Sequence, residues 1–79
     1  MATVTIYTDA SLCPQTGAGG WAAWLRRDDR RELVGAAFRT RIGDDCNVAE
    51  MAAAANGVAA SISLGMAEKD DLLIMVTDS

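Results

Sequence analysis

The run Leu72-Leu73-Ile74-Met75-Val76 decides the fold, because five consecutive apolar residues are typical of a β-strand covered on both faces of a sheet. Upstream of it, Val48–Ser63 is predicted to be a helix. Its apolar residues recur at helical spacing: Val48, Met51, Ala52, Ala55, Val58, Ala59 and Ile62. Gly65 suits the position just past the end of that helix. A helix before the last strand permits a crossover connection, so we expect this strand to lie parallel to an earlier one.

Three further strands are predicted before the helix. They are Thr3–Thr8, which alternates and is rich in β-branched residues, then Trp21–Arg27, and Glu32–Thr40. Residues 10–20, with three glycines, are predicted to form a loop, and the polar residues 28–31 a hairpin turn. The order β-β-β-α-β indicates the α/β class with a mixed sheet.

The chain has 79 residues, 51% of them apolar, which indicates one globular domain spanning residues 1–79. The last strand is apolar enough to need cover on two faces, yet only one helix is predicted. Either a further part of the chain or a partner, through self-association or as a second chain, is therefore expected to cover it.

The lack of a visible secretory signal and of a membrane-spanning run predicts a cytoplasmic protein. No basic segment followed by an apolar one opens the chain, and no run approaches the ~20 apolar residues that span a bilayer. Cys13 and Cys46 are expected to be free thiols. Two cysteines without histidine make a zinc site improbable.

Charge is unevenly distributed along the chain. The formal net charge is −4, which argues against nonspecific nucleic-acid binding. Six of the seven cationic residues nevertheless lie between residues 26 and 41. This cluster is either a solvated hairpin surface or an edge that contacts phosphates.

Two carboxylates follow strands that are predicted to be parallel neighbours. Asp9 follows the first strand and Asp78 follows the last, so both are expected at the carboxyl edge of the sheet, where α/β sheets bind ligands. Glu50 lies near the start of the helix. Three acids at one place would repel one another unless a cation lay between them, and oxygen ligands favour Mg²⁺ or Mn²⁺.

Four segments of the chain resemble, in order and spacing, the type 1 ribonuclease H family. They are Ile-Tyr-Thr-Asp-Ala-Ser (6–11), Gly-Ala-Gly-Gly-Trp-Ala (17–22), Asn-Val-Ala-Glu-Met-Ala-Ala (47–53) and Val-Thr-Asp-Ser (76–79). The resemblance covers the N-terminal portion of a family domain. It implies a ribonuclease H-like mixed sheet that stops before the family's later helices and fifth strand.

The resemblance also implies an activity and a site. The activity is metal-dependent endonucleolytic hydrolysis of the RNA strand of RNA–DNA hybrids. Asp9, Glu50 and Asp78 would be catalytic and would bind Mg²⁺ or Mn²⁺, with two ions in the complete site. Ala10, Ser11 and Asn47 would contact the substrate, including the 2′-hydroxyl that distinguishes RNA from DNA.

The chain departs from the family pattern at two points. Ala10 stands where the family usually has glycine, and the family's fourth acidic ligand has no counterpart in these 79 residues. The alternative function is therefore a non-catalytic remnant, or a binding or assembly module.

Simpler roles exist for the same residues. Asn47 and Glu50 have the spacing of a helix capping box, and Asp9 and Asp78 are common types of residue at strand ends. Trp21 and Trp24, three residues apart, are expected on opposite faces of their strand.

Overall fold

The computed structural model describes residues 2–13, 15–16, 18–38 and 46–77. Its elements are β1 (Thr3–Leu12), β2 (Gly19–Arg27), β3 (Arg30–Ala37), α1 (Cys46–Ser63) and β4 (Leu72–Thr77). The four strands form one sheet in the order β3-β2-β1-β4. β1, β2 and β3 are antiparallel neighbours, and β4 pairs with β1 in parallel. The predicted α/β class, element order and parallel last strand are confirmed.

The strands are longer than predicted around the first connection. β1 continues to Leu12 and β2 begins at Gly19, so pairing extends through Ser11 opposite Gly20 and Leu12 opposite Gly19. The predicted loop 10–20 is thus reduced to residues 13–18, because small and polar residues can continue a ladder once neighbouring strands hold them in register. β3 begins two residues earlier than predicted, and the predicted strand residues 39–40 lie outside the described part of the chain.

The β2–β3 hairpin closes with a two-residue turn, Asp28-Asp29, rather than the four residues predicted. Asp28 takes a φ of 52°, in the left-handed region that short hairpins require and that aspartate tolerates better than most residues.

Helix α1 packs on one face of the sheet through small residues. Ala49, Ala53, Gly57 and Ser61 are buried at a spacing of four. A Cβ atom on Gly57 would lie 3.0 Å from the Cγ2 atoms of both Ile6 and Thr8, so the helix lies close against β1. The core beneath it contains Val4, Ile6, Ala23, Leu25 and Met66.

The predicted apolar face of the helix is partly buried at Val58, which packs against the core, but it is exposed at its other three large residues. Val48, Met51 and Ile62 are 43%, 72% and 60% exposed. The sequence contains two stripes, one of large and one of small side chains, and close approach to the branched residues of β1 selects the small one.

Helix α1 ends in the manner that Gly65 predicts. Gly65 has a φ of 70°, its N–H donates to the Ile62 carbonyl at 3.0 Å, and the Met66 N–H donates to the Ser61 carbonyl at 2.9 Å. This pair of bonds is the Schellman motif, which returns the chain toward the core at Met66.

An ion pair between Arg27 and Asp71 joins the end of β2 to the segment before β4. Asp71 also accepts hydrogen bonds from the backbone N–H groups of Ala2 (2.9 Å) and Glu68 (2.8 Å). These two backbone donors, followed by Arg27, lower the pKa of Asp71 to about 2. In the part of the chain that the structure describes, no helix has the length and apolar character needed to cross a membrane.

Candidate metal and nucleic-acid site

The last residue pair between β1 and β4 directly precedes the two predicted acidic residues in the sequence. Thr8 of β1 pairs with Thr77 of β4, and in the sequence Asp9 and Asp78 are the residues that follow them. Asp78 itself lies outside the described residues. The position predicted for Asp9 needs one correction, because Asp9 lies inside β1, three residues before its end.

Asp9 lies on the sheet face opposite α1, since Val4, Ile6 and Thr8 are buried under the helix and the side chains of a strand alternate. Its side chain is exposed, and its Oδ1 accepts a hydrogen bond from the Ala10 N–H at 2.9 Å. The other carboxylate oxygen has no hydrogen bond to a described residue, and the exposure of the side chain makes it available to a ligand.

A cavity of about 420 Å³ adjoins Asp9. Except for Trp21, its walls are short side chains and backbone from three strands: Asp9, Ala10, Ser11, Gly19, Gly20, Trp21, Ala22, Ala36 and Ala37. The three consecutive residues 9–11, predicted to be catalytic or substrate-binding, therefore share one cavity. Walls this small permit close approach of a bulky ligand to the backbone.

Glu50 belongs to the second turn of α1, because the helix begins at Cys46 and not at Val48 as predicted. Its side chain is partly buried, and its Oε2 atom is buried without a hydrogen-bond partner among the described residues. A buried carboxylate oxygen without a partner is costly, which makes it a candidate to bind a cation or a ligand donor.

The direction of α1 places Glu50 at the same end of the sheet as Asp9. The C-terminal end of the helix lies near the start of β1, since Arg27, opposite Val4, donates to the Met66 carbonyl at 2.9 Å. Gly57 packs over Ile6 and Thr8. Glu50 is seven residues earlier, about 10 Å along the helix axis toward the end of β1 where Asp9 lies.

Thr8 is a further candidate that the sequence did not single out. It is only 4% exposed, and its Oγ1 atom has no hydrogen-bond partner among the described residues. Side chains alternate along a strand, so the sequence assigns Thr8 to the same face as Val4 and Ile6. This alternation is the signal that identifies a hydroxyl facing the helix.

Asn47 is the second residue of the helix by these bounds, so it does not occupy the N-cap position that the capping-box alternative requires. Within residues 2–13, 15–16, 18–38 and 46–77, no group of three or more Asp, Glu, His or Cys side chains is close enough to hold a metal ion. Asp9 and Glu50 are the two predicted ligands that this range contains.

Three antiparallel strands, a crossover helix and a parallel fourth strand define a small α/β domain with a mixed sheet. A family model for RNase H matches residues 1–79. The chain belongs to the RNase H family, and membership of this family suggests that the protein is a nuclease. Comparison with curated proteins gives no significant match.

Proposed function

We propose that this protein is a ribonuclease H-type endonuclease that hydrolyses the RNA strand of RNA–DNA hybrids with the help of divalent cations. The observation that carries the proposal is that two acidic residues, Asp9 on the sheet face opposite α1 and Glu50 on α1, both lie at one end of the sheet. Asp9 adjoins a cavity, and Glu50 has a buried oxygen without a partner among the described residues. Family membership supports the same activity.

The side chains present fit a hard divalent cation. Asp9 and Glu50 offer carboxylate oxygens, the donors that Mg²⁺ and Mn²⁺ prefer, and a cation would satisfy the buried Glu50 Oε2 atom. Asp78, which follows Thr77 in the sequence, is the third proposed ligand. When bound, the ions would stabilise the attacking and leaving oxygens of phosphodiester hydrolysis.

The protein's own contribution is to hold the carboxylates on two rigid elements. Strand β1 is paired on both sides around Asp9's neighbour Thr8, and α1 is held against β1 at Gly57. Neither acid depends on a flexible loop for its position, which favours a fixed site.

Substrate binding is proposed for the cavity beside Asp9. Ala10 and Ser11 supply backbone groups there, and Asn47 lies in the first turn of α1. These groups would read the 2′-hydroxyls of the RNA strand, the feature that separates RNA from DNA.

The direct test is cleavage of a hybrid with a labelled RNA strand in Mg²⁺, compared with the same sequence as duplex DNA. We expect cleavage of the RNA strand alone. Asp9→Asn and Glu50→Gln should reduce the rate by more than the roughly 10–100-fold that loss of an outer-shell metal partner costs.

Asp70→Asn is the matched control, because it removes one exposed carboxylate from the segment before β4, at the opposite end of the sheet from Asp9. Its rate should equal that of the wild type. Mn²⁺ binding, followed by the loss of the free-ion spectrum in electron paramagnetic resonance, should weaken with Asp9→Asn. Saturable hybrid binding without Asp9-dependent cleavage would instead support the non-catalytic module.

A further inference from the structure

Strand β3 forms one edge of the sheet, and its outer backbone groups have no hydrogen-bond partner among the described residues. The Phe38 N–H donates to the Gly19 carbonyl at 2.9 Å, so the backbone of residue 38 faces β2. Hydrogen bonding alternates along an antiparallel strand, and every second residue of β3 therefore turns its N–H and C=O away from β2. These outward residues are Arg31, Leu33, Gly35 and Ala37.

The second half of β3 carries none of the features that usually protect an edge strand. Natural proteins block such edges with charged residues, proline, a bulge or a very short strand. β3 has 8 residues, and its register with β2 is unbroken from Arg30 to Ala37. Its charged residues, 30–32, all lie at its start, whereas residues 33–37 are Leu-Val-Gly-Ala-Ala. An open edge of this kind is suited to pair with another strand.

Charge and strand length limit the ways in which a second copy of β3 can pair with this edge. When two identical strands pair antiparallel about a twofold axis, one residue lies opposite its own copy. A pair centred on Arg31 or on Glu32 would place like charges directly opposite each other, which is unfavourable. A pair centred on Leu33 would place Ala37 opposite Asp29, which belongs to the hairpin turn and not to β3.

A pair centred on Val34 gives every outward residue of β3 a partner. Leu33 then lies opposite Gly35 of the second copy, and Arg31 lies opposite Ala37 of the second copy. All outward N–H and C=O groups thus join hydrogen-bonded pairs. Leu33 is 63% exposed, and its side chain would cover the glycine backbone opposite it. Val34, which packs against the core, would face its own copy, and cross-strand pairs of β-branched residues are favourable.

Helix α1 leaves room for a second copy at this edge. The helix packs mainly over β1 and β2, and β3 extends the sheet beyond them. A twofold axis through Val34, perpendicular to the sheet, would place the two helices on the same face with both β3 strands between them. The pairing would join two sheets into one continuous sheet.

Pairing in this register would add a cation to the cavity beside Asp9. Ala37 lines that cavity, and Arg31 of the second copy would lie opposite Ala37, with Cβ atoms about 5 Å apart. Both would project from the same face as Asp9, because Ala37 pairs with Gly20, and Gly20 pairs with Ser11, two residues beyond Asp9. An arginine at this rim is suited to contact a phosphate of a nucleic acid bound in the cavity.

We propose that two copies of this chain pair antiparallel through β3, centred on Val34, and that each copy supplies Arg31 to the cavity of the other. Within one chain, residues 31 and 37 are about 20 Å apart along β3, so Arg31 reaches the cavity only from a second copy. The role of Arg31 rests on the proposed function, whereas the pairing itself does not.

Cross-linking tests the register of the pair. In a chain with Cys13 and Cys46 replaced by serine, Val34→Cys should give a disulfide-linked dimer on mild oxidation, because the two Cα atoms would be about 4.5 Å apart. Leu33→Cys is the matched control, since the two copies of residue 33 would be diagonal neighbours about 7–8 Å apart and should not cross-link. Cross-linking of Leu33→Cys alone, or of neither variant in a folded chain, would overturn the proposal.

Sedimentation equilibrium measures the affinity of the pair. The Leu33 N–H faces away from β2, so Leu33→Pro keeps the hydrogen bonds to β2 and removes a bond to the second copy. We expect the wild type to dimerise and Leu33→Pro to raise the dimer dissociation constant by at least about tenfold. Circular dichroism shows whether each variant is folded. A folded wild type that remains monomeric at its highest soluble concentration would contradict the pairing, as would a folded Leu33→Pro chain that dimerises equally well.

Binding of an RNA–DNA hybrid, followed by fluorescence anisotropy at several salt concentrations, tests the role of Arg31. In the dimer, Arg31→Ala should reduce the slope of log affinity against log salt concentration by about 1, the effect of one lost phosphate contact. In the monomeric Leu33→Pro background the same substitution should leave the slope unchanged. An equal effect in both backgrounds would refute the contribution from the second copy. If no variant bound the hybrid while the dimer persisted, the proposed function and the role of Arg31 would be refuted, and the pairing would be supported.

Discussion

Gly57 controls how closely α1 approaches the sheet, and Gly57→Ala tests this directly. In an exposed helical position the substitution would stabilise the protein by about 1 kcal/mol, because alanine has the better helix propensity. Here the new Cβ atom would lie 3.0 Å from the Cγ2 atoms of Ile6 and Thr8 and 3.4 Å from the Ala23 Cβ. Overpacking of a core contact costs about 1–3 kcal/mol. We therefore expect a net loss of about 1 kcal/mol.

Urea unfolding followed by tryptophan fluorescence measures this change, and two further variants identify its cause. Ala59→Gly, at an exposed position of the same helix, should cost about 1 kcal/mol and so calibrates the propensity term. Thr8→Ser removes one of the two crowded methyl groups. Combined with Gly57→Ala, it should give a loss smaller than the sum of the single losses, by about 0.5 kcal/mol or more.

The reasoning is refuted if Gly57→Ala stabilises the protein by about the amount that Ala59→Gly costs. That result would mean that the helix lies farther from β1 than the structure places it. The close contact between Glu50's helix and Asp9's strand would then also lack its main support.

Two further predictions concern single aspartates. Asp28→Gly should stabilise the protein by about 0.5–1 kcal/mol in urea unfolding, because glycine accepts the positive φ of Asp28 without strain. Asp29→Gly makes the same change of charge and should not stabilise the protein. Equal effects of the two substitutions would contradict the prediction. The pKa of Asp71 is lowered to about 2, so its stabilising contribution is complete above an unfolded pKa near 3.9 and is lost as the pH falls toward 2. Asp71→Asn should lower the urea midpoint at pH 7 and should make the midpoint fall less steeply between pH 4 and 2. If Asp70→Asn had the same two effects, Asp71 would not be the source of the pH dependence.

The strand pattern could be predicted from the sequence because each strand carries a local signal. The apolar run of residues 72–76, together with a preceding helix, was enough to predict a strand parallel to an earlier one, and β4 pairs with β1 in that way. The ends of β1 and β2 were not predictable in the same manner. Pairing of residues such as Ser11 with Gly20 depends on the partner strand and leaves no mark in local composition.

One part of the candidate site could likewise be predicted from the sequence, and another part required the structure. The family resemblance identified Asp9 and Glu50, and the structure places both toward one end of the sheet. The resemblance could not show that Glu50 Oε2 and Thr8 Oγ1 are buried without partners among the described residues. Burial of one particular oxygen follows from the angle and depth at which α1 packs, which the alternation of residues does not specify.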